Sequence, residues 1–258
     1  MIIERSMHRG WLSNSWLIGD HDGGHAVLID SGGPMGPLEA VLEARRLDLT
    51  HVLCTHHHPD HVLHNGEWRD AHACQVCAGR HERELFGAGA SEALRVPDRL
   101  LDHDEELRSG DLRIRALHTP GHTKGQLAFL VNDCLLATGD TLFRGSIGGT
   151  RGHGHGSYEE LRASILDTLL CFPERTCILP GHCDMTSVER ELRDNPFVRY
   201  WTGAEASLDE PCVALGEPAT LLVRARDYDG GTKCIVRFED GRVDVVPGSQ
   251  VVDAEFGR

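Results

Sequence analysis

The stretch CTHHHPDHVLHNG, Cys54 to Gly66, concentrates five histidines and one aspartate. Imidazole nitrogens and a carboxylate at this density suit zinc, iron or manganese. In an extended chain alternate side chains share a face, so His56 and His58 point one way and His57 the other. Pro59 suits the first turn of a helix, which places Asp60 and His61 beside the same pocket. Three later turns each pair a glycine with one more ligand-type side chain: His122 in TPGHT (119–123), Asp140 in ATGDT (137–141) and His182 in LPGHC (179–183). Glycine lets the chain turn sharply there, and loops at strand ends are where sites gather.

Those turns need strands to hold them. SNSWLIG (13–19) and HAVLID (25–30) read as strands, LEAVLEARR (38–46) as a helix, and THVLC (50–54) as a short buried strand. ACQVC (73–77) reads as another buried strand, in which Cys74 and Cys77 are small hydrophobes and not a metal pair. LRIRAL (112–117) alternates apolar and charged residues. QLAFLV and CLLATG form a hairpin about Asn132-Asp133. YEELRASILDTLL (158–170) puts Leu161, Ile165, Leu166 and Leu169 on one helical face. TCILPG (176–181) is a strand and SVERELRD (187–194) a short helix. From about residue 204 the pattern turns to β: ATLLVRARDY, an Asp-Gly-Gly turn, TKCIVRFEDG and RVDVVP. The reading is a mixed α/β unit over 1–203 and a small all-β appendage over 204–258.

Composition narrows the function classes. The 258 residues carry a net charge of -14, which repels phosphate backbones and argues against a nucleic-acid partner. No run approaches the length of a membrane span. The N-terminal stretch shows no apolar signal region, and nine scattered cysteines fit reduced thiols and a cytoplasmic protein.

HxHxDH, PGHT, GDT and a later GH, in this order, resemble the metallo-β-lactamase superfamily over residues 1 to about 203. The resemblance implies an αββα sandwich with a dinuclear site. It assigns His56, His58 and His122 to one metal, Asp60, His61 and His182 to the second, and Asp140 as the bridge. Asp30 in LIDSGG is implied as a supporting hydrogen-bond partner. The implied cofactor is two divalent ions, zinc first, with iron or manganese as alternatives.

Within the superfamily, Asp140 stands where resistance β-lactamases place Cys or Ser, which points away from them. GDTLFRGSIGG and the later LRASI resemble glyoxalase II-like hydrolases, and PGHCDMTSVERELRDNPF is similar to the ending of their compact bacterial members. The implied activity is hydrolysis of a small-molecule thioester or ester by a hydroxide bridging the two metals, with Asp60 hydrogen-bonding the nucleophile. Two departures stand out: Gly149 sits where that pattern has Arg, and β sequence replaces a helical C-terminal domain. Two alternatives stay open. One is a persulfide dioxygenase with a single iron on His56, His122 and Asp140; the other is a metal-binding protein without turnover. Arg144, Arg151, His153 and His155 are candidate substrate contacts. The appendage could cap the site, form a homo-oligomer interface or bind a partner.

Overall fold

The computed structural model describes residues 1–86 and 96–253. Two six-stranded sheets face each other. The first holds β1 (Ile2–Met7), β2 (Asn14–Gly19), β3 (His25–Ile29), β4 (Asp48–Leu53), β5 (Gln75–Gly79) and β6 (Arg99–Leu101), in that order. The second holds β7 (Glu106–Ser109), β8 (Leu112–His118), β9 (Leu127–Val131), β10 (Leu135–Gly139), β13 (Cys177–Pro180) and β14 (Thr186–Ser187). A two-stranded ribbon, β11 (Leu142–Phe143) and β12 (Ser146–Ile147), lies between β10 and β13 in the chain. Helices cover the outer faces: α1 (Met35–Arg45), α2 (Pro59–Val62) and α3 (Asn65–His72) accompany the first sheet, and α4 (Tyr158–Ala163), α5 (Val188–Asp194) and α6 (Pro196–Trp201) the second.

Strand alternation builds this sandwich. In β9, Leu127, Phe129 and Val131 point between the sheets, where they meet Trp16, Ile18, Val27 and Ile29. Ala128 and Leu130 point outward to Leu161, Ile165 and Phe197. Both faces are therefore buried, as a helix–sheet–sheet–helix stack requires.

A third, all-antiparallel sheet follows: β15 (Glu210–Ala214), β16 (Glu217–Arg226), β17 (Thr232–Phe238), β18 (Val243–Pro247) and β19 (Val251–Asp253). A register shift between Leu221 and Val223 marks a bulge in β16. Leu221 then faces Cys234, Val236 and Phe238, while Leu222 and Val223 join the outer core of the second sheet with Ile235 and Val245. The third sheet is thus welded to the sandwich through one apolar face.

Two expectations change. The pattern assigned no strand to Ile2–Met7, whose burial scarcely alternates; edge pairing with β2 makes it one. The single helix expected over 158–170 is α4, a π-turn at Ser164–Thr168 and a 3-10 turn at Leu169–Cys171. The Ser164 hydroxyl donates to the Pro120 carbonyl at 2.7 Å, at the start of that π-turn and beside the His122 loop. π-turns concentrate near functional sites. Among the described residues no helix is long and apolar enough to cross a membrane.

Candidate metal centre

The site lies where β4, β8, β10 and β13 end. Past β4, Thr55 donates through its backbone N–H (2.7 Å) and its hydroxyl (2.8 Å) to the two oxygens of buried Asp30. Asp30 sits at φ 56, a left-handed conformation that Asp tolerates better than most residues. Gly32 comes so near the Asp60 backbone that a Cβ there would lie 1.5 Å from the Asp60 carbonyl oxygen. The His182 loop is tied to β2, where the Asn14 amide donates to the Pro180 and Cys183 carbonyls and the Trp16 indole to Pro180.

His56, His58 and His122 converge. His56 Nε2 lies 2.9 Å from His58 Nδ1, which lies 3.0 Å from His122 Nε2. The opposite ring nitrogens decide what these contacts are. The Thr55 hydroxyl donates to Asp30, so its oxygen accepts from His56 Nδ1 at 3.0 Å. His58 Nε2 donates to the His153 carbonyl at 3.1 Å and His122 Nδ1 to the Gly149 carbonyl at 2.8 Å. Each neutral ring has one N–H, already used. Three lone pairs therefore face one point, an arrangement that suits a cation and not hydrogen bonding. Burial, with the neighbouring imidazoles, pushes His56 well below the ordinary imidazole range and His58 down to about 4, so both rings are neutral donors.

A second cluster adjoins it. His61 Nδ1 donates to Asp30 Oδ2 at 2.8 Å, and Nε2 on the other side of the ring lies 3.3 Å from both Asp60 Oδ2 and Asp140 Oδ1. His182 Nε2 lies 3.3 Å from Asp140 Oδ2 and 3.6 Å from Asp60 Oδ2. His61 Nε2 and Asp140 Oδ1 are buried without a hydrogen bond among the described residues. Burial alone would lower the His61 pKa, but the Asp140, Asp60 and Asp30 carboxylates outweigh it and raise it well above normal. Burial would raise Asp140, and the His182 and His61 rings outweigh that too. The pocket thus calls for positive charge between these groups. Asp140 Oδ2 also lies 3.6 Å from His122 Nε2, so this carboxylate touches both clusters. Five imidazoles and two carboxylates fit a pair of divalent cations.

His57 faces away from both clusters. Its backbone N–H and Nδ1 both meet Glu82 Oε2, at 2.9 and 2.5 Å. Its Nε2 lies 3.1 Å from His153 Nδ1. The His155 ring turns to the neighbouring Gly156 carbonyl, 2.7 Å from Nδ1. Arg144 pairs with Asp184 at 3.5 Å and Arg151 with Asp244 at 3.0 Å. Of these four substrate-contact candidates, His153 alone contacts the histidine cluster, and neither arginine lines the cavity that contains His122 and Asp140. Two neighbours were missed from sequence. Glu82 lies in a polar segment, RHEREL, with no distinguishing mark. Tyr228 stacks on His182 with ring centroids 4.0 Å apart at 17°; its Asp-Gly-Gly turn was readable, but not where that turn would land.

The architecture and its histidine–aspartate clusters are those of a metal-dependent αββα sandwich. The chain belongs to the metallo-β-lactamase superfamily, whose model matches residues 8–182. It is similar to the hydroxyacylglutathione hydrolase GloC of Haemophilus influenzae, 34% identical over 198 residues that cover 72% of this chain and 92% of that protein. Two solved structures resemble it. The BLEG-1 B3 metallo-β-lactamase is 29% identical with a TM-score of 0.69, covering 76% of this chain and 99% of that one. ETHE1 from Myxococcus xanthus is 30% identical with a TM-score of 0.63, covering 77% and 84%. The matched segment ends at His182, so Tyr228 lies beyond it.

Proposed function

We propose that this protein is a glyoxalase II-like hydrolase that cleaves a small-molecule thioester or related ester with two divalent cations. Zinc is the first candidate, iron or manganese the alternatives. His56, His58 and His122 would hold one cation, Asp60, His61 and His182 the other, and Asp140 would bridge them. The supporting observation is Asp140, within 3.6 Å of His122 in one cluster and 3.3 Å of His61 and His182 in the other.

Bound there, the cations supply Lewis acidity, polarising a carbonyl and lowering the pKa of water. The chain's own residues do the rest. Thr55, Gly149 and the His153 carbonyl fix the tautomers that keep three imidazole lone pairs aimed at one point. Asp30 does the same for His61. Asp60, partly exposed and held below the normal carboxylate range (the His61 and His182 rings outweigh burial), accepts a hydrogen bond from the attacking water. Water adds its oxygen to the acyl carbon, the carbon–sulfur bond breaks, and the sulfur leaves as thiolate. Thiolate needs no strong general acid, since a free thiol has a pKa of about 8.5.

The likeness to ETHE1 favours keeping a second reading, a persulfide dioxygenase with one iron on His56, His122 and Asp140. Metal analysis of protein from unsupplemented growth, beside thioester, persulfide and cephalosporin assays, separates these. Two metals with thioester turnover lost in Asp140→Ala and His122→Ala supports the hydrolase. One iron with oxygen uptake on a persulfide sinks it, as does thioester turnover that survives both substitutions. Cephalosporin turnover above thioester turnover would make it a β-lactamase.

A further inference from the structure

The cavity over the metal centre is built from two sources. His122, Asp140, Phe143 and Gly149 line one side; Asp227, Tyr228, Asp229 and Lys233, from the β16–β17 hairpin, line the other. Its volume is about 330 Å³, at the small end for ligand sites. The Phe143 ring stands edge-on to both His182 (5.4 Å) and Tyr228 (5.3 Å), which completes an aromatic corner above a candidate ligand.

The hairpin is locked in place. Asp227 Oδ1 accepts from the Ser146 hydroxyl at 2.9 Å, and Oδ2 pairs with Lys233 Nζ at 3.0 Å. Lys233 is buried, also donates to the Ile147 carbonyl, and lies over the Phe143 (5.3 Å) and Tyr228 (5.7 Å) rings. Burying an ammonium is costly unless it is paired and hydrogen-bonded, and these contacts use its charge on the hairpin itself. Among the described lining residues no other lysine or arginine is present. Asp229 is exposed at the rim, and among the described residues its carboxylate accepts only from the Gly231 N–H at 2.8 Å. Among the described residues the Tyr228 hydroxyl takes no hydrogen bond, so the phenol is free for a ligand.

The geometry points to the C-terminal hairpin as the specificity wall of this site: Tyr228 contacts an uncharged or cationic leaving group, and Asp229 beside the already paired Lys233 disfavours carriers with several carboxylates or phosphates. The wall rests on the hydrolase reading for its reaction but not for its binding preference. Carboxylates facing a polyanion act against it.

The test compares one acyl group carried by N-acetylcysteamine, which is uncharged, and by glutathione, which bears two carboxylates. Wild type is expected to prefer the first by about tenfold in kcat/KM. Two substitutions add a cation at the rim: Asp229→Lys, at an exposed position, and Gly149→Arg, where a Cβ would meet nothing within 4 Å. Each should shrink the preference roughly fivefold. Tyr228→Ala should raise KM for the uncharged substrate about tenfold with metal content retained, and Tyr228→Phe should recover most of that loss. Saturation-transfer NMR with S-methyl-N-acetylcysteamine and S-methylglutathione, on metal-free and metal-loaded protein, reads binding without turnover. Equal or better use of the glutathione thioester overturns the wall, as does an unchanged ratio in both cation variants, or metal loss with unaltered KM in Tyr228→Ala. If neither thioester is cleaved, the hydrolase reading fails alone; the wall then stands if the uncharged analogue binds in a Tyr228-dependent way and falls if S-methylglutathione binds as well.

Discussion

His57 Nδ1 lies 2.5 Å from Glu82 Oε2, and this contact joins the two halves of the first histidine cluster. Glu82 is fully buried. Its other oxygen accepts from the Thr123 hydroxyl (2.6 Å) and the Gly125 N–H (3.0 Å), on the turn that carries His122. One carboxylate therefore holds the His56–His58 segment against the His122 loop. Glu82→Ala would strand these donors, at about 1–3 kcal/mol for each group left unpaired. Thermal unfolding should show a Tm loss of at least about 5 °C, near 2–4 °C per kcal/mol for a chain of this size. A loss under about 1 °C would remove Glu82 from this role.

The same residue gives a pH signature. Burial would raise the Glu82 carboxyl, but the bonds from His57, Thr123 and the backbone outweigh it and leave it below the usual glutamate value. A depressed folded pKa stabilises fully above the unfolded value of about 4.3 and is lost as pH falls through the lower folded value. Wild type should exceed Glu82→Gln in denaturant-derived stability at pH 7, and the gap should close below about pH 4. A gap that stays constant from pH 7 to pH 3 would contradict the assignment.

Asp30 sets the His61 tautomer. In Asp30→Asn the backbone can keep φ 56, since Asn also tolerates that region. The amide NH₂ would face His61 Nδ1, which must then accept, and the ring proton would move to Nε2. That proton occupies the lone pair that Asp60 and Asp140 surround. Affinity for the second cation should fall about 10–100-fold, with the first site nearly unchanged. Competition titration with a chromophoric chelator resolves the two steps; loss of both together, or of neither, would refute it.

Much of this site was legible because its signal is local. Alternation alone separates His56 and His58 from His57, and glycine turns flag His122, Asp140 and His182. The central strands were readable because both faces of β9 and β10 are apolar. Strand β1 was not, since an edge strand with one solvated face leaves little pattern. Nor was the break at Ser164, which depends on a hydroxyl reaching Pro120, 44 positions away. Glu82 and Tyr228 were hidden for a related reason. Their contacts form only after the sheets pack, Tyr228 through Leu222, Val223, Ile235 and Val245 against the second sheet's outer core.

Two glycines offer a matched pair. At Gly181 an added Cβ would lie 2.2 Å from Asp140 Oδ1 and 2.9 Å from His61 Cε1. Neither neighbour can yield, because Asp140 is enclosed by His61, His122 and His182, and His61 is fixed by Asp30. At Gly149, which lines the cavity, a Cβ would meet nothing within 4 Å. Gly181→Ala should displace the Asp140 carboxylate, lower metal stoichiometry and cut turnover at least about 100-fold, the scale of an angstrom-sized misplacement at a reacting centre. Gly149→Ala should hold its metal and stay within about 0.5 kcal/mol of wild-type stability. Metal analysis and unfolding of both proteins decide the matter: equal behaviour would mean that the close approach of Gly181 to Asp140 does not position that carboxylate.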